Sequence, residues 1–397
     1  MHSVIRKRQG LPYVPEEPKG LVANSSHLSV VAVRAGPFPT DDLGQAFALW
    51  SHPKVVTQCT SPDTELRRKA LAHACEQLRY ARETASYLPA GIVTALNQSA
   101  QSTDAETRTL ATAALARLSL EGNGREHMLS EGASASVPVL LRIVTDDDPR
   151  VRANALTAIV RIAKSSVPGA RALMEGGAVA LLVGRLSEEE LQGELLGAVL
   201  AALEAIMMAV SGGLTQAIEG GAIGLIGRLL GEDIALSAAE HACYCLATLT
   251  VGGAEKLTAM NCGVLPPLLT RLSAAHAPPE GSEEAIERVA TAAAAALMSL
   301  TVDTSVKAEA TRLGAVRVLS PLLSAGVDLE ASEGLDHANA TLTVNALKCA
   351  TNIAEDPQAR KRLTKMALAS LKSLQGSSEA HVQKHATIAT AKVEWRP

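Results

Sequence analysis

A short phrase recurs along this chain at intervals of 41 to 51 residues: a glycine, two small or aliphatic residues, and then a leucine-rich stretch. Its clearest copies begin at Gly177, Gly221 and Gly263, and weaker copies begin at Gly91, Gly132 and Gly314. Self-similarity at this period is typical of a helical solenoid, in which each unit buries its apolar face against its neighbours. The repeat therefore predicts an all-α array whose chemistry lies on a surface.

The composition supports a core built from small aliphatic side chains. Hydrophobic residues make up 47% of the 397 residues and aromatic residues only 2%, so the core must consist of Leu, Ala, Val and Ile. Ala and Leu are the strongest helix formers, and small side chains let helices stack closely. The net charge of −4 lacks the basic excess of most nucleic-acid-binding proteins, so we expect no nucleic-acid partner.

Cysteine usage and the N-terminus favour a reduced, non-membrane protein. The six cysteines show no CxxC spacing, and most lie in apolar helical stretches, which is typical of core thiols. No apolar run is long enough to span a membrane, and the basic start is followed by prolines instead of the apolar segment of a secretory signal. His2 excludes N-myristoylation, which requires glycine at that position. The cysteines stand at positions 59, 75, 243, 245, 262 and 349.

We divide the chain into an extended, proline-containing arm over 1–60 and a solenoid over 61–397. Prolines interrupt any long helix in the arm, although 28–33 resembles a short strand and 41–50 a helical turn or two. The solenoid is predicted to hold about seven units and a C-terminal half-unit. Two long junctions, 273–284 and 324–338, are interpreted as insertions on one edge. The unit boundaries are 61–102, 103–146, 147–188, 189–231, 232–281, 282–334, 335–378 and 379–397.

Each unit is predicted to contain three helices. Apolar or small residues at 235, 238, 239, 242, 243 and 246 follow the spacing of one helix face, and the sixth unit repeats this pattern. Asp148 followed by Pro149 is a typical helix start, and Asp63 opens the first helix of the first unit in the same way. The glycine before each third helix can adopt a positive φ, which allows a tight turn.

Three helices in about 42 residues, with the phrase Gly-Ala-[Val/Ile]-x-x-Leu-x-x-Leu, resemble the armadillo repeat over about 61–397. The resemblance implies a right-handed α-solenoid that binds other proteins and whose third helices line the concave face. A narrower resemblance is to the radial spoke head 14 homolog family, the armadillo component of the ciliary radial spoke. It rests on four places in this sequence, which are Glu65–Leu71, Leu186–Gln192, Asn345–Leu347 together with Ala354–Lys361, and Val393–Pro397.

This narrower resemblance implies a non-enzymatic structural and docking subunit of the axoneme. Its partners would be other radial spoke subunits and axonemal proteins, and its location the cytoplasm and the axoneme of a cilium or flagellum. No cofactor, metal or small-molecule substrate is implied. The alternative that the sequence leaves open is a soluble armadillo adaptor for cargo or transport.

Four arginines recur at intervals of 43 residues, each beside leucines in a predicted third helix. If the third helices line the concave face, these guanidiniums form a row that can pair with the carboxylates of an extended acidic partner. The alternative is a solvated row, because basic residues are common at this position in armadillo repeats. The four residues are Arg142, Arg185, Arg228 and Arg271.

The two tryptophans lie outside the regular units. Import receptors of the armadillo type use repeated Trp and Asn in their groove, so Trp50 and Trp395 argue against that role. Solenoid ends need capping, and we expect Trp395 to cap the last repeat, with insertion into a neighbouring protein as the alternative.

Catalytic motifs are absent from the sequence. There is no HExxH, no phosphate-binding loop and no GxSxG elbow. Cys243 and Cys245 point to opposite sides of a helix and cannot share a metal ion. His381 and His385 are spaced as a pair on one helix face, but no third ligand is evident, so a solvated face is the preferred interpretation. We therefore predict that the protein is not an enzyme.

Overall fold

The computed structural model describes residues 51–130, 135–188, 193–276, 278–332 and 334–396. Every regular element in these ranges is a helix. The segments at 28–33 and 41–50, with the rest of the predicted arm before Ser51, lie outside the described residues.

Seven units of three helices follow a single helix, α1 (Ser51–Gln58), and precede a last helix, α23 (Ala380–Glu394). The first helices are α2 (Thr64–Gln77), α5 (Ala105–Leu118), α8 (Pro149–Ser165), α11 (Gly193–Ala209), α14 (Leu236–Leu249), α17 (Glu283–Leu300) and α20 (His337–Ile353). The second helices are α3 (Ala81–Tyr87), α6 (Gly122–Met128), α9 (Val167–Glu175), α12 (Ser211–Glu219), α15 (Gly253–Asn261), α18 (Thr304–Arg312) and α21 (Pro357–Met366). The third helices are α4 (Ile92–Ser99), α7 (Val137–Ile143), α10 (Ala178–Arg185), α13 (Ala222–Leu230), α16 (Leu265–Ala274), α19 (Ala315–Ser332) and α22 (Leu368–Leu374).

The helix α1 belongs to the solenoid, although the sequence placed it in the arm. Val55 and Cys59 are buried, and α1 packs against all three helices of the first unit. Ser99 at the end of α4 donates a hydrogen bond to the carbonyl oxygen of Cys59 at 2.7 Å, which fixes the end of α1 against that unit. The predicted arm boundary at residue 60 is therefore wrong, and the described solenoid begins at Ser51.

Acidic caps and glycine turns set the helix boundaries as the sequence predicted. Asp148 accepts a hydrogen bond from the backbone N–H of Arg150 at 2.8 Å, with Pro149 at the first helical position of α8. Such a cap occupies one of the free N–H groups at a helix start. Gly177 and Gly221 precede α10 and α13 with φ of 87° and 76°, a region that disfavours any residue with a Cβ atom.

The seven first helices and α23 stack directly on one another from one end to the other. Hydrogen bonds join equivalent ends of neighbouring helices, so the stack is parallel. Arg68 Nη2 donates to Asp104 Oδ1 at 2.5 Å near the helix starts, and Ser299 Oγ donates to the Thr250 carbonyl oxygen at 2.9 Å near the helix ends. A continuous apolar core of Leu, Ala, Val and Ile runs along this stack.

The first helices, and not the third, form the inner row of the solenoid. Each third helix packs mainly on the first helix of the following unit, and third helices of neighbouring units make few contacts with one another. In a curved stack the elements on the inner side approach each other most closely, and here those are the first helices. The expectation that third helices line the concave face is therefore wrong.

The junction predicted over 324–338 is partly helical. The helix α19 continues to Ser332 and α20 begins at His337, so among the described residues of the predicted insertion only 334–336 lie outside a helix. Gly326 lets α19 approach α20 closely, since a Cβ atom there would lie 2.9 Å from Thr343 Oγ1. Near the end of α19, Glu330 accepts hydrogen bonds from the backbone N–H of Ser378 at 2.7 Å and from its hydroxyl at 2.8 Å. The extension therefore ties the sixth unit to the start of α23.

Candidate protein-binding surface

Side chains near the ends of the inner helices hold neighbouring units together. Asn352 Nδ2 donates to the carbonyl oxygen of Met298 at 3.1 Å, and Arg117 and Arg161 donate to the carbonyl oxygens of Cys75 and Ala116. The last four carbonyl groups of a helix have no partner within the helix, so these bonds satisfy groups that would otherwise need water. The two arginines are therefore engaged in holding the stack together.

The predicted arginine row lies on one edge of the solenoid, where each third helix ends. Arg142, Arg185, Arg228 and Arg271 all occupy the last turn of a third helix, where a cation is favoured by the helix dipole. The structure therefore keeps the four residues in register, but it places them outside the inner row.

Carboxylates and carbonyl groups already surround these arginines. Arg185 Nη1 lies 2.6 Å from Glu188 Oε2, and Arg271 Nη2 donates to the carbonyl oxygen of Glu232 at 2.9 Å. Arg228 is exposed and lines a cleft of about 560 Å³ together with Glu188 and Asp233. The edge thus carries mixed charge, and partner binding by the row stays a prediction.

Trp395 lies against α21 at the C-terminal end of the described solenoid. The Arg360 guanidinium lies 4.7 Å from the centre of the indole ring, and Arg360 Nη1 donates to the carbonyl oxygen of Trp395 at 3.4 Å. The side chain remains 55% exposed. Trp395 therefore packs on α21 of the last unit and still offers part of its ring to solvent.

Polar side chains meet at the N-terminal end, in a cleft of about 580 Å³ between α1, α2 and α3. His52 Nε2 lies 2.9 Å from Glu83 Oε2, and its ring meets Tyr87 edge-on with the ring centres 4.5 Å apart. Ser51 Oγ lies 3.5 Å from His52 Nδ1, which is longer than the separation of a nucleophile and its general base. We therefore interpret these contacts as a tie between α1 and α3.

A buried carboxylate links the fourth and fifth units. Glu204 on α11 is 8% exposed, and its Oε2 lies 2.7 Å from His241 Nδ1 on α14. Burial of an unpaired charge is costly, so this pair fixes the relative position of two neighbouring inner helices. It is a contact between units and not a reactive centre.

The described residues offer little reactive chemistry. Five cysteines are buried and only Cys262 is exposed, and burial raises the pKa of the Cys59 and Cys243 thiols to about 12. Thiols held protonated in this way are poor nucleophiles and poor metal ligands. Within the described ranges, no three His, Cys, Asp or Glu side chains are grouped so that they could hold a metal ion.

A membrane span is not evident among the described helices taken singly. One consecutive pair, α9 and α10, satisfies the length and composition of a span, but the two helices are bent by 71° relative to each other.

One surface feature was missed by the sequence reasoning. In each of the first six units an exposed apolar side chain lies between the last turn of the first helix and the first residue of the second, and we call this set the apolar edge. These side chains are between 51% and 69% exposed. The repeated Thr-Val before α15 and α18 was a signal in the sequence. The apolar edge consists of Tyr80, Leu120, Val167, Met208, Val251 and Val302.

Solved structures with a similar fold are armadillo solenoids. A computationally designed armadillo repeat protein for modular peptide recognition matches 62% of this chain over 98% of its own length, with 23% identity and a TM-score of 0.54. A designed armadillo repeat protein in complex with the peptide (KR)4 matches 66% of this chain over its whole length, with 22% identity and a TM-score of 0.52.

A third similar chain comes from a structure of the interaction between cadherin and beta-catenin. It matches 87% of this chain over 60% of its own length, with 18% identity and a TM-score of 0.64. No protein-family model matches the sequence, and no curated protein matches it. At these identities the likeness concerns the fold, which is an all-α armadillo solenoid.

Proposed function

We propose that this chain is a non-enzymatic scaffold that binds other proteins along its surface. The observation that carries the proposal is the continuous stack of first helices, which gives the chain long, regular faces with side chains repeated in register. The similar solved structures include a peptide complex and a structure of a cadherin interaction, and both are protein-recognition contexts.

More narrowly, we propose that it serves as a docking subunit of the axonemal radial spoke. The support is the resemblance in sequence, and two of its segments lie together in the structure. Glu355 and Arg360 belong to one segment, and Trp395 belongs to the other. The Arg360–Trp395 contact joins them, and Lys392, just before the terminal segment, forms an ion pair with Glu355 (Nζ to Oε1, 3.1 Å). The terminal segment thus packs against the last repeat, and the ends of a solenoid need such cover.

Fractionation of isolated cilia tests the narrower proposal. A radial spoke subunit stays with the axoneme after detergent extraction and is released together with the other spoke subunits by stronger extraction. A soluble tubulin-binding protein and a stably bound dynein subunit, measured in the same fractions, serve as the two controls.

Recovery of the full-length chain wholly in the detergent-soluble fraction would overturn the radial spoke assignment and favour the soluble cargo or transport adaptor. Chemical cross-linking of the intact axoneme then identifies the partners. Contacts that fall on the inner row or on either edge support the scaffold, whereas the absence of any partner cross-link contradicts it.

A further inference from the structure

The regular recurrence of the apolar edge indicates a surface that another segment covers. Six apolar side chains, each more than half exposed, recur once per unit at or just beyond the end of the first helix. Because these first helices pack on one another in a parallel stack, the six side chains follow one another along the solenoid. Isolated exposed apolar residues are ordinary, but an aligned set of this kind marks an interaction surface.

The spacing of the edge constrains what can bind there. Stacked helices lie about 8–10 Å apart, so the apolar edge presents one side chain about every 9 Å. A polyproline II segment rises about 9.3 Å per turn of three residues, so it presents the same face at nearly the same interval. A partner with an apolar residue at every third position of such a segment would therefore match successive units.

The chain itself carries that pattern before residue 51. Pro12, Pro15, Pro18 and Leu21 are spaced by three residues, which is the interval at which a polyproline II helix repeats one face. We propose that residues 12–21 of this chain dock on the apolar edge and cover four of its adjacent side chains.

The described chain begins close to Tyr80, which is the first side chain of the apolar edge. Ser51 and His52 line the cleft formed with Gln77 and Arg82, which flank Tyr80, the first residue of the apolar edge. Residues 22–50 form a connection of 29 residues that reaches roughly 100 Å when extended. The whole edge is shorter, about 45 Å over five steps between units, so every register is within reach.

Photo-cross-linking within the full-length protein tests the proposal. A benzophenone amino acid replaces Met208, which any four adjacent side chains of the apolar edge include, or, as a control, the exposed Thr270 on α16. After irradiation and trypsin digestion, we expect the probe at position 208 to be joined within one chain to the peptide Gln9–Lys19, which holds the three prolines. The probe at position 270 should not be joined to it.

Two variants of the arm separate specific docking from chance proximity. Replacing the three prolines and Leu21 with serine should lower the cross-link yield by about tenfold, the change that a loss of a few apolar contacts produces. Inserting one glycine after Val14 keeps the composition but breaks the three-residue phase, and it should lower the yield as well. Neither change touches the solenoid, so circular dichroism should be unaltered.

Three results would overturn the proposal. Cross-links that join two different chains would assign the edge to a second copy, and yields equal to those at position 270 would show that nothing docks there. A yield unaffected by either arm variant would show that the proline face does not mediate the contact.

Discussion

Replacing Trp395 with alanine should loosen the C-terminal end of the solenoid. Since 55% of the side chain is exposed, 45% is covered, which for a tryptophan of up to about 250 Å² amounts to about 110 Å². At about 25 cal/mol per Å² this burial stabilises the folded C-terminal end by about 2.8 kcal/mol. Because unfolded chains already bury part of their apolar surface, the contribution falls to about 2 kcal/mol. The contact with Arg360 adds about 0.5–1 kcal/mol.

The expected total of about 2–3 kcal/mol concerns local opening, because the ends of a repeat array unfold before its middle. Hydrogen exchange should therefore accelerate by about thirtyfold or more in α21 and α23 of Trp395→Ala, with no change in α2. Arg360→Met, measured alongside, keeps an apolar stem but loses the cation–π contact and the hydrogen bonds that Arg360 donates to the Ala354, Glu355 and Trp395 carbonyl oxygens, so it reports the arginine's share of the contact. An acceleration below about threefold would refute the capping role of Trp395.

Three further predictions address the turns, the caps and the arginine row. Gly177→Ala should destabilise the protein by about 1 kcal/mol or more, because φ is 87° there, whereas Gly184→Ala in open space inside α10 should stabilise it slightly; thermal denaturation compares the two. Asp148→Ala should cost about 1 kcal/mol at neutral pH through the lost cap. Hydrogen bonds from Arg150 lower the pKa of Asp148 to about 2, so this difference should persist above pH 4 and vanish as the pH falls towards 2; denaturant titrations at several pH values decide. Combined Arg185→Glu and Arg228→Glu substitutions should reduce co-precipitation of partners about fivefold with unchanged circular dichroism, and full recovery of partners would remove the row from the binding surface.

Local signals in the sequence predicted the local structure. The Asp-Pro step fixes the start of α8 and the recurrent glycine fixes the turn before α10, because each depends on backbone geometry within a few residues. The 42-residue period predicted the three-helix unit in the same way. These features follow from rules that act along the chain and need no knowledge of neighbours.

Features that depend on contacts between units were harder to predict. The extended α19 packs through Gly326 against Thr343 of the next unit. The polar residues of this junction indicated a loop, and nothing in the sequence pointed to that contact. The positions of Arg185 and Arg228 were predicted, but not the cleft in which Glu188 and Asp233 lie together beside Arg228, because the two carboxylates come from the junctions of different units. The apolar edge likewise becomes visible only when separate loops are aligned in space.

Hydrogen exchange of Leu246→Ala tests most directly whether the units form one mutually supporting stack. Leu246 is fully buried in α14, which packs between α11 and α17, and its truncation should cost about 2–5 kcal/mol. The stack predicts a loss of protection that spreads from α14 into α11 and α17 on both sides and fades towards α2 and α23. A loss confined to α14 would contradict the account.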